Sequence, residues 1–91
     1  MMKELNSYRQ VMTTTVSSTL TLPKKPDSCM RVVVKGYEET RNVKFNDKKQ
    51  VVISSIEPKK YFVNYEKNKI YFGSSIVGKE VTIIYYSREV E

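Results

Sequence analysis

The strongest fold signal in the chain is residues 61–72, which read YFVNYEKNKIYF. Aromatic and apolar side chains alternate along both halves of this stretch, as in two strands that each bury one face. A turn at 66–68 separates the halves, and Asn68 is the residue there best able to adopt a positive φ, because its short amide side chain tolerates the left-handed region. The stretch therefore predicts a β-hairpin with strands at 61–65 and 69–72.

The same two-residue alternation extends in both directions from the hairpin, and helical periodicity is nearly absent. Residues 11–22, rich in Thr and Ser, predict one long strand or two with a weakly apolar face, which Pro23 and Pro26 then stop. Further strands are predicted at 30–35, 43–45, 51–53 and 80–86. About seven short strands joined by tight turns predict an all-β fold, a small antiparallel β-sandwich or barrel.

The predicted strands divide the chain into a core domain at 30–86 and an N-terminal segment at 1–22. Two interpretations of the segment stay open. It forms an arm or edge strand that adds to the sheet of a neighbouring subunit, or it is an ordinary first strand of the same domain.

The 91 residues suffice for one domain with a modest core. Cys29 is the single cysteine, so no disulfide forms within the chain, and a reducing compartment is favoured. Because disulfides and histidine-bound metals are both missing, oligomerisation remains as the means of stabilising so small a domain. We expect neither a signal peptide nor a membrane span, since no apolar run approaches the required length.

The residues required for catalysis are scarce. The sequence contains no histidine, and so lacks the usual general base and the commonest metal ligand. The three glycines do not cluster as a phosphate-binding loop needs, and the acidic residues lack calcium-loop spacing. We therefore expect no catalytic residue, no metal site and no cofactor, and a protein that is not an enzyme.

The formal net charge is +6, from 16 basic and 10 acidic residues. Three lysine doublets beside turn-forming residues stand out: Lys24-Lys25, Lys48-Lys49 and Lys59-Lys60. In one interpretation these are solvated loop lysines that maintain solubility. In the other they converge on one basic patch that meets a phosphate backbone or an acidic protein surface.

Aromatic residues are concentrated in the last third of the chain, beside Lys60, Lys67 and Lys69. Such interleaving is typical of proteins that bind single-stranded nucleic acid. Alternation instead assigns most of the set to the core, together with neighbouring aliphatics: Val63, Tyr65, Ile70, Phe72, Val81, Ile83 and Tyr85. The residues predicted to form a protein interface are four from the outer face and three from the N-terminal segment: Tyr61, Tyr71, Ile84, Tyr86, Val16, Leu20 and Leu22.

The hairpin and the last strand together resemble a signature of small β domains in virion proteins of tailed bacteriophages. In that signature Asn or Asp and then Tyr precede a turn, Ile-x-Phe follows it, and a glycine loop leads into Val-x-Ile-x-Tyr. Residues 61–72 and the sequence GKEVTIIYY at 78–86 contain each element. Asn68 stands where the turn of the signature usually has glycine.

The resemblance implies a non-enzymatic structural protein of a phage particle. Such domains serve as head-tail connectors or adaptors, fibre anchors, capsid decorations or baseplate parts. The resemblance implies that the protein binds copies of itself and other virion proteins, is assembled in the host cytoplasm and resides in the virion. The residues themselves leave an alternative open, a small basic nucleic-acid-binding β-barrel. A nucleic-acid binder needs its lysines beside exposed aromatics, whereas an assembly protein needs an apolar or complementary contact surface.

Overall fold

The structure, a computed structural model, describes residues 7–88. Within this range the all-β class is confirmed, with one short 3-10 turn at Ile53–Ser55. The seven strands are β1 (Tyr8–Thr15), β2 (Thr19–Thr21), β3 (Val33–Val34), β4 (Glu38–Glu39), β5 (Lys60–Asn64), β6 (Lys69–Phe72) and β7 (Glu80–Ser87).

These strands form two separate sheets over one core. The three-stranded sheet has the order β1-β7-β3, and the four-stranded sheet has the order β2-β6-β5-β4. One hydrophobic cluster contains side chains from both sheets, such as Val34 and Ile83 from the first and Ile70 and Phe72 from the second. Two sheets that enclose a shared core make the domain a β-sandwich.

The hairpin predicted at 61–72 is present as β5 and β6. The two strands are antiparallel and pair Tyr61 with Phe72 at one end and Asn64 with Lys69 at the other. Asn68 has a φ of 59°, which confirms its predicted positive φ. The Asn64 side chain also shapes the turn, since its Oδ1 accepts the backbone N–H groups of residues 66 and 67, both at 3.1 Å.

Residues 8–22 contribute one strand to each sheet. β1 pairs with β7 along its full length, from Tyr8 opposite Ser87 to Thr15 opposite Glu80, and β2 pairs with β6. The chain crosses between the sheets at residues 16–18, which form no strand. Both strands are thus edge strands of this domain, and residues 1–6 of the predicted N-terminal segment lie outside the described residues.

The predicted strands at 43–45 and 51–53 are wrong in extent. They meet only at a single bridge between Phe45 and Val51, and a 3-10 turn begins at Ile53. Asn46 explains the short pairing, because its side-chain Oδ1 accepts the backbone N–H groups of Lys48 and Gln50, each at 2.9 Å. A side chain that satisfies the backbone locally competes with a longer ladder.

One strand pairing in this antiparallel β-sandwich is parallel. Glu38 and Glu39, which no predicted strand includes, form β4 and run parallel to β5. The pairing continues at Thr40, whose N–H donates to the carbonyl of Tyr61 at 2.7 Å. This parallel contact rests on tertiary packing, since two glutamates carry no strand signal in their sequence.

Tyrosine hydroxyls close the outer edge of β3. Tyr61 donates to the carbonyl of Val32 at 2.9 Å and accepts the N–H of Val34 at 3.2 Å. The Tyr65 hydroxyl accepts the N–H of Val32 at 3.3 Å. The two tyrosine hydroxyls thus satisfy three backbone groups of Val32 and Val34, and the Tyr61 hydrogen bonds link the two sheets.

Candidate interaction surfaces

Three of the predicted interface residues lie in the core. Val16, Leu22 and Tyr61 are each only 2% exposed. The prediction that Tyr61 lies on the outer face is wrong. Tyr61 is two residues from Val63 and shares its buried face, and the Tyr61 hydroxyl donates a hydrogen bond to the buried carbonyl of Val32. Leu20 is half-buried and packs against the core. These residues complete the domain's own interior and leave little surface for a partner.

Six of the seven residues predicted for the inner face are buried, which confirms that part of the assignment: Val63, Ile70, Phe72, Val81, Ile83 and Tyr85. Tyr65 is only half-buried at the margin of the core. Burial is the main cause that raises the pKa of Tyr65. The hydrogen bond from the Val32 N–H lowers this pKa, and the nearby Glu39 carboxylate raises it. Tyr65 therefore stays a neutral hydrogen-bonding group.

An apolar row crosses the outer face of the three-stranded sheet. Ile84 in β7 lies opposite Val11 in β1 and Val33 in β3, so the three side chains share one face. Val11 is 54% exposed and Val33 is 39% exposed. Tyr86, predicted with Ile84 for the outer face, lies two residues along β7 opposite Arg9. The apolar row, defined as Val11, Ile84 and Val33, gives this sheet a hydrophobic outer surface.

The apolar row ends at an open sheet edge. β1 is the outermost strand of its sheet, and within residues 7–88 no strand pairs with its outer side. At eight residues it is as long as β7, and it contains no proline and only one charged residue, Arg9. Long edges without charges or proline are the ones that accept a further strand.

The three lysine doublets lie in different parts of the fold. Lys25 lies beside the end of β7, where its carbonyl accepts the Ser87 hydroxyl at 2.7 Å, and Lys24 precedes it. Lys59 precedes β5, and Lys60 begins that strand and forms an ion pair with Glu57 at 3.3 Å. The remaining doublet, Lys48-Lys49, lies in the turn that Asn46 organises.

A lysine groove of about 330 Å³ lies against the outer face of the four-stranded sheet. Its polar lining includes Lys49, Lys67, Lys69, Thr19, Asn64 and Tyr71. The strand register brings these groove residues together, because Tyr71 lies opposite Thr19 and Lys69 lies opposite Asn64. No carboxylate lines the groove, and none of its three lysines pairs with an acidic group in residues 7–88.

An aromatic row continues from the lysine groove along the same face. Phe62 stacks with Tyr71 at 6.2 Å between ring centroids and meets Phe45 edge-on at 6.0 Å. Phe45 is 53% exposed. Of the aromatic row, defined as Phe45, Phe62 and Tyr71, only Tyr71 was predicted for the outer face. The sequence does contain a signal that Phe62 lies on the outer face, since Phe62 alternates with the buried residues Tyr61 and Val63.

A second pocket, of about 420 Å³, contains two arginines around one buried carboxylate. Its Glu39 side chain, 8% exposed, lies 3.9 Å from Arg31 and 3.7 Å from Arg41. The Tyr65 hydroxyl donates to the same carboxylate at 3.4 Å. Cys29 lines this pocket with its side chain exposed. The ion pair between Arg31 and Glu39 links the loop before β3 to β4, and both arginines share this one carboxylate.

The carboxylate of Asp27 joins the two ends of the described chain. It accepts the hydroxyl of Ser7, the N–H of Cys29 at 2.9 Å and the Arg88 guanidinium at 3.0 Å. These hydrogen bonds, that of Ser7 foremost, lower the pKa of Asp27 below its ordinary value of 3.8. The group is thus an ionised clasp between the start of β1 and the end of β7.

No metal centre is built from the described part of the chain. Residues 7–88 contain no group of three His, Cys, Asp or Glu side chains placed to hold an ion. Nor does any helix in this range have the length and apolarity to cross a bilayer.

Comparison with known families identifies a phage lineage. A family model of the N-terminal domain of the SPbeta prophage YomF protein matches residues 4–90. The chain belongs to this family. The match to the YomF N-terminal domain takes in all seven strands and both outer faces, and the prophage source agrees with the phage character that the resemblance implied. No curated protein and no solved structure matches the chain.

Proposed function

We propose that the chain is a non-enzymatic structural protein of a phage particle, which assembles with copies of itself and with other virion proteins. Membership of the prophage YomF N-terminal domain family supports the phage setting. The apolar row on the three-stranded sheet is the observation that carries the assembly role. A connector, a fibre anchor and a decoration protein all require such a contact surface.

The apolar row is suited to a protein contact because its side chains are aliphatic and partly exposed to water. Val11 and Val33 expose 54% and 39% of their surface, and covering them removes apolar area from water. Cross-strand neighbours of the row are Thr13 opposite Thr82, whose hydroxyl oxygens lie 3.1 Å apart. An apolar centre with a polar margin is the usual layout of a protein interface.

The open edge of β1 provides a defined way for two copies to join. An antiparallel pairing of β1 with its own copy, centred on Val11, places that residue opposite itself and Arg9 opposite Thr13. No like charges meet across this pairing, and the two sheets become one continuous sheet of six strands. The apolar rows of both copies then join end to end at Val11 and form one longer apolar row across the six strands.

Self-assembly is tested by multi-angle light scattering after size-exclusion chromatography at increasing protein concentrations. The wild type is expected to form a defined oligomer. A Val11→Thr, Ile84→Thr variant keeps β-branched side chains but adds hydroxyls to the apolar row, and should shift to the monomer. Val77→Thr is the matched control, since Val77 is 42% exposed outside this sheet. A wild type that stays monomeric throughout contradicts self-assembly.

The particle role is tested separately by quantitative mass spectrometry of purified phage particles. We expect the chain at a fixed copy number relative to the major capsid protein, retained after high-salt washing. Absence from particles whose other components are all present would contradict the structural role, whatever the oligomeric state of the purified chain.

A further inference from the structure

The lysine groove and the aromatic row lie on the outer face of the four-stranded sheet, whereas the apolar row lies on the outer face of the three-stranded sheet. The proposed assembly does not use the groove or the aromatic row. Lys49 reaches the groove from the turn at 46–50, Lys67 from the hairpin turn, and Lys69 from β6. Three cations that converge without a carboxylate between them raise the local positive potential. The chain's net charge of +6 adds to that field.

The two turns that carry groove lysines are held by asparagine side chains. Asn46 Oδ1 accepts two backbone N–H groups around Lys49, and Asn64 Oδ1 accepts two around Lys67. Lys49 has a φ of 61°, a backbone conformation that lysine adopts only when its surroundings impose it. The cations are therefore presented from fixed backbone, which lowers the ordering cost of binding an anion.

We propose that this face binds single-stranded nucleic acid, with its phosphates in the lysine groove and its bases on the aromatic row. Lysine supplies point charges for phosphate, while Phe45, half exposed, and Tyr71 offer ring surfaces to unpaired bases. Paired bases in a duplex cannot reach these rings. An acidic protein surface would use the lysines but would leave the aromatic row without a role.

The test measures fluorescence anisotropy of a labelled oligothymidine of about ten nucleotides, within the site size of single-strand binding β domains, with the full chain at several salt concentrations. Lys49→Gln, Lys67→Gln and Lys69→Gln are combined in one variant. Neutralising three lysines should reduce the slope of log affinity against log salt by about 2, since each single-strand phosphate contact contributes about 0.7.

The matched control combines Lys25→Gln, Lys35→Gln and Lys79→Gln, which remove the same charge at exposed positions near the other sheet. This control should keep most of the wild-type salt slope. Phe45→Leu tests the stacking contribution and should weaken binding about tenfold with the salt slope unchanged. Circular dichroism verifies that each variant is folded.

Four results would overturn the proposal: no salt-dependent binding by the wild type, equal loss in both triple variants, no effect of Phe45→Leu, or equal competition by polyglutamate and oligothymidine. Polyglutamate competition would instead identify an acidic protein partner. The lysine variants leave the apolar row intact and should not change the oligomeric state, so failure of nucleic-acid binding and failure of self-assembly are distinguishable.

Discussion

Single side chains determine the turns on which the lysine groove depends. Asn68 adopts the positive φ expected of it, whereas Lys49 adopts one that its own chemistry does not favour. The difference lies in Asn46, which accepts hydrogen bonds from the residues on both sides of Lys49. A residue's backbone conformation is thus set by a neighbour three positions away, and the lysine is oriented as a consequence.

Gly73 is required for a close approach of two backbone segments. A Cβ at this position would clash with the carbonyl oxygen of Glu57 and lie 2.5 Å from that of Pro58. Because both obstacles are backbone atoms, Gly73→Ala should lower the free energy of unfolding by about 2 kcal/mol. Urea denaturation measures the change. Ser74→Ala, at the exposed neighbouring position, should stay within about 0.5 kcal/mol of the wild type, and an equal effect of the two would contradict this account.

At the scale of elements, β3 shows how a two-residue strand persists at the edge of a sheet. β7 binds one side of it, and the hydroxyls of Tyr61 and Tyr65 satisfy the other. β1, at the opposite edge, has no such cover within residues 7–88. The two edges of this sheet therefore differ in their hydrogen bonding, and of the two edge strands only β1 is open to a further strand.

Removing the Tyr61 hydroxyl should destabilise the sandwich. Tyr61→Phe leaves the carbonyl of Val32 without a donor and the N–H of Val34 without an acceptor, and both valines are fully buried. The expected loss is about 1–3 kcal/mol of unfolding free energy, measured in urea. Tyr86→Phe, on the outer face, should cost far less. Equal stability of wild type and Tyr61→Phe would show that the hydroxyl does not support β3.

Ionisation of the Tyr61 hydroxyl should make the stability of the fold sensitive to alkali. Burial raises the pKa of Tyr61 above its ordinary value of 10.0. Its contribution to stability is therefore complete below pH 10.0 and is lost as the pH rises through the raised pKa of the folded state. Unfolding free energies measured across this range should fall more steeply for the wild type than for Tyr61→Phe. Parallel curves would contradict the prediction.

At the scale of the whole molecule, Asp27 connects the first and last strands of the described chain. Its carboxylate accepts hydrogen bonds from Ser7 before β1 and from Arg88 after β7. Since β1 and β7 also pair along their full length, the clasp helps to hold the edge strand β1, which is the strand proposed to pair with a second copy.

The clasp predicts a loss of stability in acid. The pKa of Asp27 is lowered from 3.8, first by the Ser7 hydroxyl and then by the Cys29 N–H. Its stabilising effect is present above pH 3.8 and disappears as the pH falls through the lowered pKa. Thermal unfolding at descending pH should show a smaller acid-induced decrease for Asp27→Asn than for the wild type. Asp47→Asn, in an exposed turn, should behave as the wild type does.

Two-residue alternation is enough to predict the all-β class, the hairpin at β5 and β6, the strand β7 and most of the core. These are local features, since a period of two assigns each side chain to a face wherever a strand is long enough to show it. Ile84 on the outer face follows from the same period.

The pairing of distant segments depends on the folded chain as a whole. The tertiary structure placed Tyr61 under β3, paired two glutamates in parallel with β5, and divided residues 8–22 between two sheets. It also gathered Lys49 with Lys67 and Lys69 into one groove. Sheet order and long-range hydrogen bonds depend on the packing of the whole core, which no short window of sequence contains.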